Sequence, residues 1–97
     1  MSEKDLEEWL NKKIRELGGL SYKFTSPNCP GVPDRIYIFP GGIIYFVELK
    51  TEFGTFSKMQ KRQLAILDQY GCRVRKVKGL KQAKEFLKEL ESEIRTL

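Results

Sequence analysis

Asp34, Glu48 and Lys50 are the residues of this chain whose types and spacing could do chemistry. Asp34 follows a Gly31-Val32-Pro33 turn and opens an apolar run over residues 36–39. Pro40-Gly41-Gly42 turns the chain into a second apolar run, 43–49, and Glu48 and Lys50 stand near its end. Side chains alternate faces along a strand, so Glu48 and Lys50 point the same way, about 7 Å apart. If the two runs pair as a hairpin, Asp34 meets them at one end of a sheet. Charges in such an apolar setting are costly unless paired or bound to a metal. Two converging carboxylates supply hard oxygen ligands, which suit Mg²⁺ or Mn²⁺ and leave room for a phosphate oxygen and a water. The Leu49 carbonyl lies between the two charged side chains as a further donor. A neighbouring Lys50 ammonium can orient or deprotonate an attacking water, or stabilise charge building on the phosphate. That is metal-assisted phosphodiester hydrolysis in outline. Taken alone, the Glu48-Leu49-Lys50 triplet reads more simply as a salt bridge at a frayed strand end.

The bulk composition narrows the alternatives. The chain has 97 residues, room for one domain over 1–97, with 40% hydrophobic and 32% charged residues. Its net charge of +5, from 18 Lys and Arg against 13 Asp and Glu, suits a polyanionic partner. There is no histidine, and the two cysteines, Cys29 and Cys72, form no CxxC pair. That speaks against a zinc site, and Ser-His-Asp triads, His-based nucleases and His-dependent metal hydrolases are excluded. No apolar stretch is long enough to span a membrane and no signal peptide is visible, so an intracellular protein with reduced thiols is expected.

The flanking elements must position the three charges. Ser2-x-x-Asp5 resembles a capping box, and Leu6, Trp9, Leu10, Ile14 and Leu17 recur at helical spacing up to Gly18-Gly19. At about 100° per residue, Glu3 falls within the apolar stripe of this helix, Glu7 at its edge and Glu8 on the far side. Glu3 also reads as an ordinary solvated acid in the first helical turn. Residues 20–24 form a short strand, 25–33 a loop, and 34–39 with 43–50 the hairpin. Apolar residues on both faces of 43–49 predict a central strand covered on both sides. Ser57-x-x-Gln60 is a second capping box, opening a helix that Gly71 ends. A strand over 72–77 and a helix over 80–94 follow. That last helix carries Ala83, Phe86, Leu87 and Leu90 as its apolar face, and its mixed lysines and glutamates read as solvated.

Pro33-Asp34 and, fourteen positions beyond Asp34, Glu48-Leu49-Lys50 resemble the signature of the PD-(D/E)XK nuclease superfamily. Within that superfamily the chain resembles the virus-type replication-repair nuclease (VRR-NUC) family over roughly residues 3–79. The resemblance rests on Gly18-Gly19, Tyr22-Lys23-Phe24, Gly31-Val32-Pro33-Asp34-Arg35, Pro40-Gly41-Gly42, Phe46-Val47-Glu48-Leu49-Lys50, and Ser57 with Gln60. It implies an α/β, restriction-endonuclease-like αβββαβ(α) core, a central mixed sheet flanked by helices. It implies that Asp34 and Glu48, with the Leu49 carbonyl, bind Mg²⁺ or Mn²⁺ and that Lys50 is the catalytic lysine. Gln60 matches the glutamine that the family places beside the active site. Glu3 best matches the early-helix metal ligand, with Glu7, one turn on, as the fallback. The capping box gives Gln60 a competing local role, and Gln63 is the substitute if Gln60 is fully committed there.

Lys58, Lys61 and Arg62 cluster at a helix N-terminus that favours phosphate, with Lys23 and Arg35 near the proposed site. Arg73, Arg75, Lys76 and Lys78 crowd the last strand, although much of this charge also serves solubility. Phosphate contacts of this kind give affinity without reading sequence. Small stand-alone members of the family resemble Holliday-junction resolvases, which act on branched DNA as homodimers. The resemblance therefore implies a structure-selective DNA endonuclease in a bacterium or phage-infected host. A nuclease for flaps, nicks or single-strand ends, or a silent DNA-binding module, remains the alternative. Trp9, Tyr45, Phe53 and Phe56 are candidates for the subunit contact, with core packing the expected fate of each.

Overall fold

Seven elements follow one another in the computed structural model, which describes residues 1–95. They are α1 (Glu3–Glu16), β1 (Leu20–Lys23), β2 (Arg35–Phe39), β3 (Ile43–Lys50), α2 (Lys58–Gln69), β4 (Arg73–Lys78) and α3 (Gly79–Arg95). The last two residues of the expected 1–97 span lie outside the described residues. The sheet order is β1-β2-β3-β4, antiparallel across the first three strands and parallel between β3 and β4. A parallel pair needs a long crossover, and α2 supplies it. The mixed α/β fold expected from the sequence is present.

Local chemistry explains the helix starts. Ser2 Oγ accepts from Asp5 N–H at 3.0 Å while the Asp5 carboxylate accepts from Ser2 N–H, so two orphan donors are satisfied. Leu6, Leu10 and Ile14 then place one fully buried stripe against the sheet. After the helix, a Cβ on Gly19 would lie 2.6 Å from the Phe39 ring, so only glycine lets β1 leave so close to β2.

One face of the sheet carries the core. Tyr37 and Phe39 of β2, Ile43, Tyr45, Val47 and Leu49 of β3, and Val77 of β4 pack there against α1 and against Ala83, Phe86 and Leu90 of α3. The opposite face is covered more thinly. There α2 buries only Leu64 of its own side chains and packs chiefly over β4. The expectation that β3 is covered on both sides is therefore corrected: Ile44 is exposed, Phe46 half-buried and only Glu48 buried on that face. A single short helix does not span four strands.

The last helix also differs from its expected role as a solvated surface. Glu89 accepts from both Arg75 Nε (2.8 Å) and Arg75 Nη2 (2.9 Å), and Glu93 pairs with Arg73 at 2.9 Å. Tyr45 donates its hydroxyl to Glu93, and burial together with that acceptor pushes the phenol up to about 12. Half of the positive charge on β4 is thereby tied to α3.

Candidate active site

The hairpin register decides how the three opening charges meet. Arg35 stands opposite Val47 and Ile36 opposite Phe46, so one further step places Asp34 across from Glu48. Asp34 lies just before β2, behind the buried Pro33, and its carbonyl accepts from Phe24 N–H at 2.9 Å. Its carboxylate Oδ2 accepts from Leu49 N–H at 3.0 Å, which turns the acid inward over the end of β3. Glu48, Lys50 and Phe46 share the face opposite the core, as strand alternation requires.

Glu48 is fully buried, and neither of its carboxylate oxygens has a hydrogen-bond partner. Burial pushes its carboxyl up to about 9, with the Asp34 carboxyl as the next cause, Glu3 adding to the shift and Lys50 opposing it. Two ionised carboxylates have no proton to share, so the pair forms a hydrogen bond only when one of them is protonated. A divalent cation removes the same conflict without a proton. The orphaned Glu48 oxygens beside Asp34 thus fit a hard metal ion. Among the described residues no three Asp, Glu, Cys or His side chains form a cage, so two carboxylates would be completed by backbone oxygen and water.

The helix acids are separated by their surroundings. Glu7 is half-buried and faces Arg35 at 3.8 Å, committed to that guanidinium. Glu3 is exposed in the first turn of α1, and its charge reaches Glu48. Of the two, Glu3 is the acid whose charge acts on Glu48.

Arg35 does not occupy the place expected for a DNA contact. It alternates onto the core face with Tyr37 and Phe39, is 9% exposed, and donates to Ser21 Oγ at 2.6 Å. There its guanidinium is turned toward Ser21 and Glu7, away from the face that carries Glu48 and Lys50. Lys23 pairs in register with Arg35 and so starts from the same face, away from Glu48 and Lys50, although it is exposed. Lys58, Lys61 and Arg62 are exposed on α2 as expected. The α2 start is held close to the loop before Asp34, since a Cβ on Gly31 would fall 2.5 Å from the Met59 backbone.

Gln60 forms the capping box: its Oε1 accepts from Ser57 N–H at 2.9 Å, and Ser57 Oγ accepts from Gln60 N–H at 3.1 Å. The carbonyl end of this side chain is therefore committed to the helix, leaving its amide nitrogen for other partners. Gln63, the substitute, is half-buried one turn along.

Lys76 is the residue that the sequence did not single out. The parallel register puts it directly beside Glu48, with Lys78 beside Lys50, all on the α2 face. It is exposed, and its Nζ lies 5.4 Å from the Phe56 ring centre. Alternation within β4 separates Lys76 and Lys78 from Arg73 and Arg75, but only the register says which pair meets Glu48.

No family profile matches the chain. A protein of Acyrthosiphon pisum secondary endosymbiont phage 1 named "Putative nuclease p44" is 40% identical over 72 residues, 74% of this chain and 77% of that protein. A solved VRR_NUC domain superposes with a TM-score of 0.84 at 29% identity, over 89% of this chain and 94% of that one. The fold, with these likenesses, is that of a PD-(D/E)XK-type nuclease domain. Within that class the chain belongs to the VRR-NUC family.

Proposed function

We propose that this domain is a Mg²⁺- or Mn²⁺-dependent, structure-selective DNA endonuclease that cuts Holliday junctions or other branched DNA as a homodimer. The observation that carries the reading is Glu48, a buried carboxylate with two unpartnered oxygens, facing Asp34 at the end of β3. Asp34, Glu48 and the Leu49 carbonyl would hold the metal, with Glu3 approaching from α1. When bound, the metal lowers the pKa of water and offsets charge on the phosphate. Lys50, two residues along the same face, orients the attacking water or stabilises the phosphate as its charge grows. The Gln60 amide would complete the site from α2.

Lys58, Lys61 and Arg62, together with Lys76, supply cations around the pair, and such contacts give affinity without reading bases. Selectivity then rests on the shape of the DNA. An apolar row of Leu20, Ile38 and Ile44 crosses β1, β2 and β3 beyond the reach of α2, which favours pairing with a second copy. A two-fold dimer presents two sites to a two-fold junction. No described helix is long and apolar enough to cross a membrane, and the similarity to a phage protein favours action inside a bacterium or a phage-infected host.

The test offers purified protein a labelled four-way junction, a flap, a duplex and single strands, each with Mg²⁺, Mn²⁺ or EDTA. Metal-dependent cutting of the junction over the duplex is expected. Absence of metal-dependent cutting on every substrate would refute the enzyme, and equal cutting of duplex and junction would refute junction selectivity. Asp34→Ala and Lys50→Ala should abolish cleavage while leaving junction binding largely intact. Either variant cutting at the normal rate would overturn the site.

A further inference from the structure

We propose that Phe53, with the depression behind it, receives an unpaired base of the DNA substrate beside the cutting site, an inference that rests on the nuclease reading above. Phe53 is 87% exposed, more than any other large apolar side chain among the described residues. None of the aromatic or cation–π contacts among those residues involves its ring. The expectation of core packing is thus corrected for Phe53, while Tyr45 is wholly buried.

The ring is held on a braced turn. Gly54 N–H donates to the Thr51 carbonyl at 3.0 Å, closing the turn directly after Lys50. A Cβ on Gly54 would lie 3.1 Å from Lys50 Cβ and 3.3 Å from Lys50 Cδ, so the turn rests along the stem of the proposed catalytic lysine. On its other side a Cβ on Gly79 would lie 2.9 Å from Glu52 Cβ, which fixes the turn against the junction of β4 and α3. Braced from both sides, the turn holds Phe53 three residues beyond Lys50.

A depression of about 230 Å³ opens beside this ring, lined by Met1, Leu6 and Leu80 together with Thr51 and Glu52. Its walls are more apolar than polar, and the Glu52 carboxylate carries the wrong charge for a phosphate. Both features match a base: the flat face stacks on an aromatic ring, and an exocyclic amino group donates to a carboxylate. A base inside a duplex cannot leave its stack without a penalty, so the ligand is a base already unpaired. Flaps, single-strand ends and branch points whose flanking pairs have opened supply such bases beside a scissile phosphate, and linear duplex does not. The site therefore gives a residue-level cause for structure selectivity.

The test measures binding of the full chain in EDTA, where no cutting intervenes, to a junction, a single strand and a linear duplex. A 2-aminopurine placed at the branch point reports stacking by its emission. Phe53→Ala should weaken single-strand and junction binding roughly 5- to 150-fold, the range for loss of one aromatic–base stack. Duplex binding should be unchanged, and the 2-aminopurine quenching should disappear. Phe53→Trp should retain both binding and quenching. Equal weakening on all three DNAs, or unchanged quenching in Phe53→Ala, overturns the proposal. A shift in oligomeric state on sedimentation, with no change in DNA preference, also overturns it by making the patch a subunit contact. Cutting with Mg²⁺ or Mn²⁺ is read separately, so failure of the nuclease reading shows as no cleavage whatever the quenching result.

Discussion

Replacing Glu48 by glutamine should stabilise the metal-free protein, although it removes a proposed metal ligand. Glu48 is fully buried without a partner for either oxygen, and its carboxyl is pushed from the ordinary 4.5 up to about 9 by burial and by Asp34. Below about pH 4.5 the group is protonated whether the chain is folded or not. From there to about pH 9 the unfolded chain has released the proton and the folded chain still holds it. Unfolding then releases a proton, so stability falls by up to about 1.4 kcal/mol per pH unit across that window. Between 4.5 and neutral pH the loss is about 3 kcal/mol, and water reaching the carboxyl brings it nearer 2 kcal/mol. Glutamine has nearly the same shape, carries no charge and can donate to Asp34. Metal-free Glu48→Gln should therefore melt about 8–16 °C above the wild type at neutral pH. Saturating Mg²⁺ should reverse the order, adding about 3 kcal/mol to the wild type at a hundredfold excess over Kd. Thermal unfolding followed by circular dichroism, with EDTA or Mg²⁺ between about pH 5 and pH 9, checks both statements. A melting temperature of Glu48→Gln at or below wild type in EDTA refutes the reasoning. A metal-free wild type whose stability is flat over that window refutes it as well.

Lys76→Ala should raise KM and lower the salt slope of duplex binding by about 0.9, one phosphate contact, while Lys84→Ala on the outer side of α3 should not. An unchanged slope would remove Lys76 from the DNA surface. Arg35→Ala should lower stability by about 2 kcal/mol, because it strands Glu7 and Ser21, and leave the salt slope unchanged; a reduced slope would restore Arg35 as a DNA contact. Gln60→Glu keeps a residue that suits the capping box, so melting should hold while cleavage falls roughly tenfold or more, as expected when charge opposes a phosphate. Normal cutting by that variant would confine Gln60 to the cap.

Much of this site is legible along the chain because it is built from near neighbours. Glu48 and Lys50 share a face by alternation alone, and Pro40-Gly41-Gly42 closes the hairpin that brings Asp34 to them, with Gly41 and Gly42 at φ of +91° and +74°. Ser2 and Ser57 announce their helices through side chain–backbone bonds that span three residues. Arg35 turns toward the core rather than the site for a related reason. Proximity to Asp34 in sequence says nothing about direction, and one step along the strand carries the next side chain through to the core. The two-sided burial expected for β3 failed because apolar content cannot reveal how far a single covering helix extends.

Local patterns along the chain set the elements, their caps and the carboxylate–lysine end of the hairpin, because each depends on interactions a few residues apart. Which residues joined that end from elsewhere was fixed only when the elements packed together. That packing set Lys76 beside Glu48 through the β3–β4 register, paired Glu7 with Arg35, and left Phe53 exposed on a turn braced by Lys50 and Gly79. Register and layer packing arise from contacts between elements far apart in the chain, and no local pattern carries them.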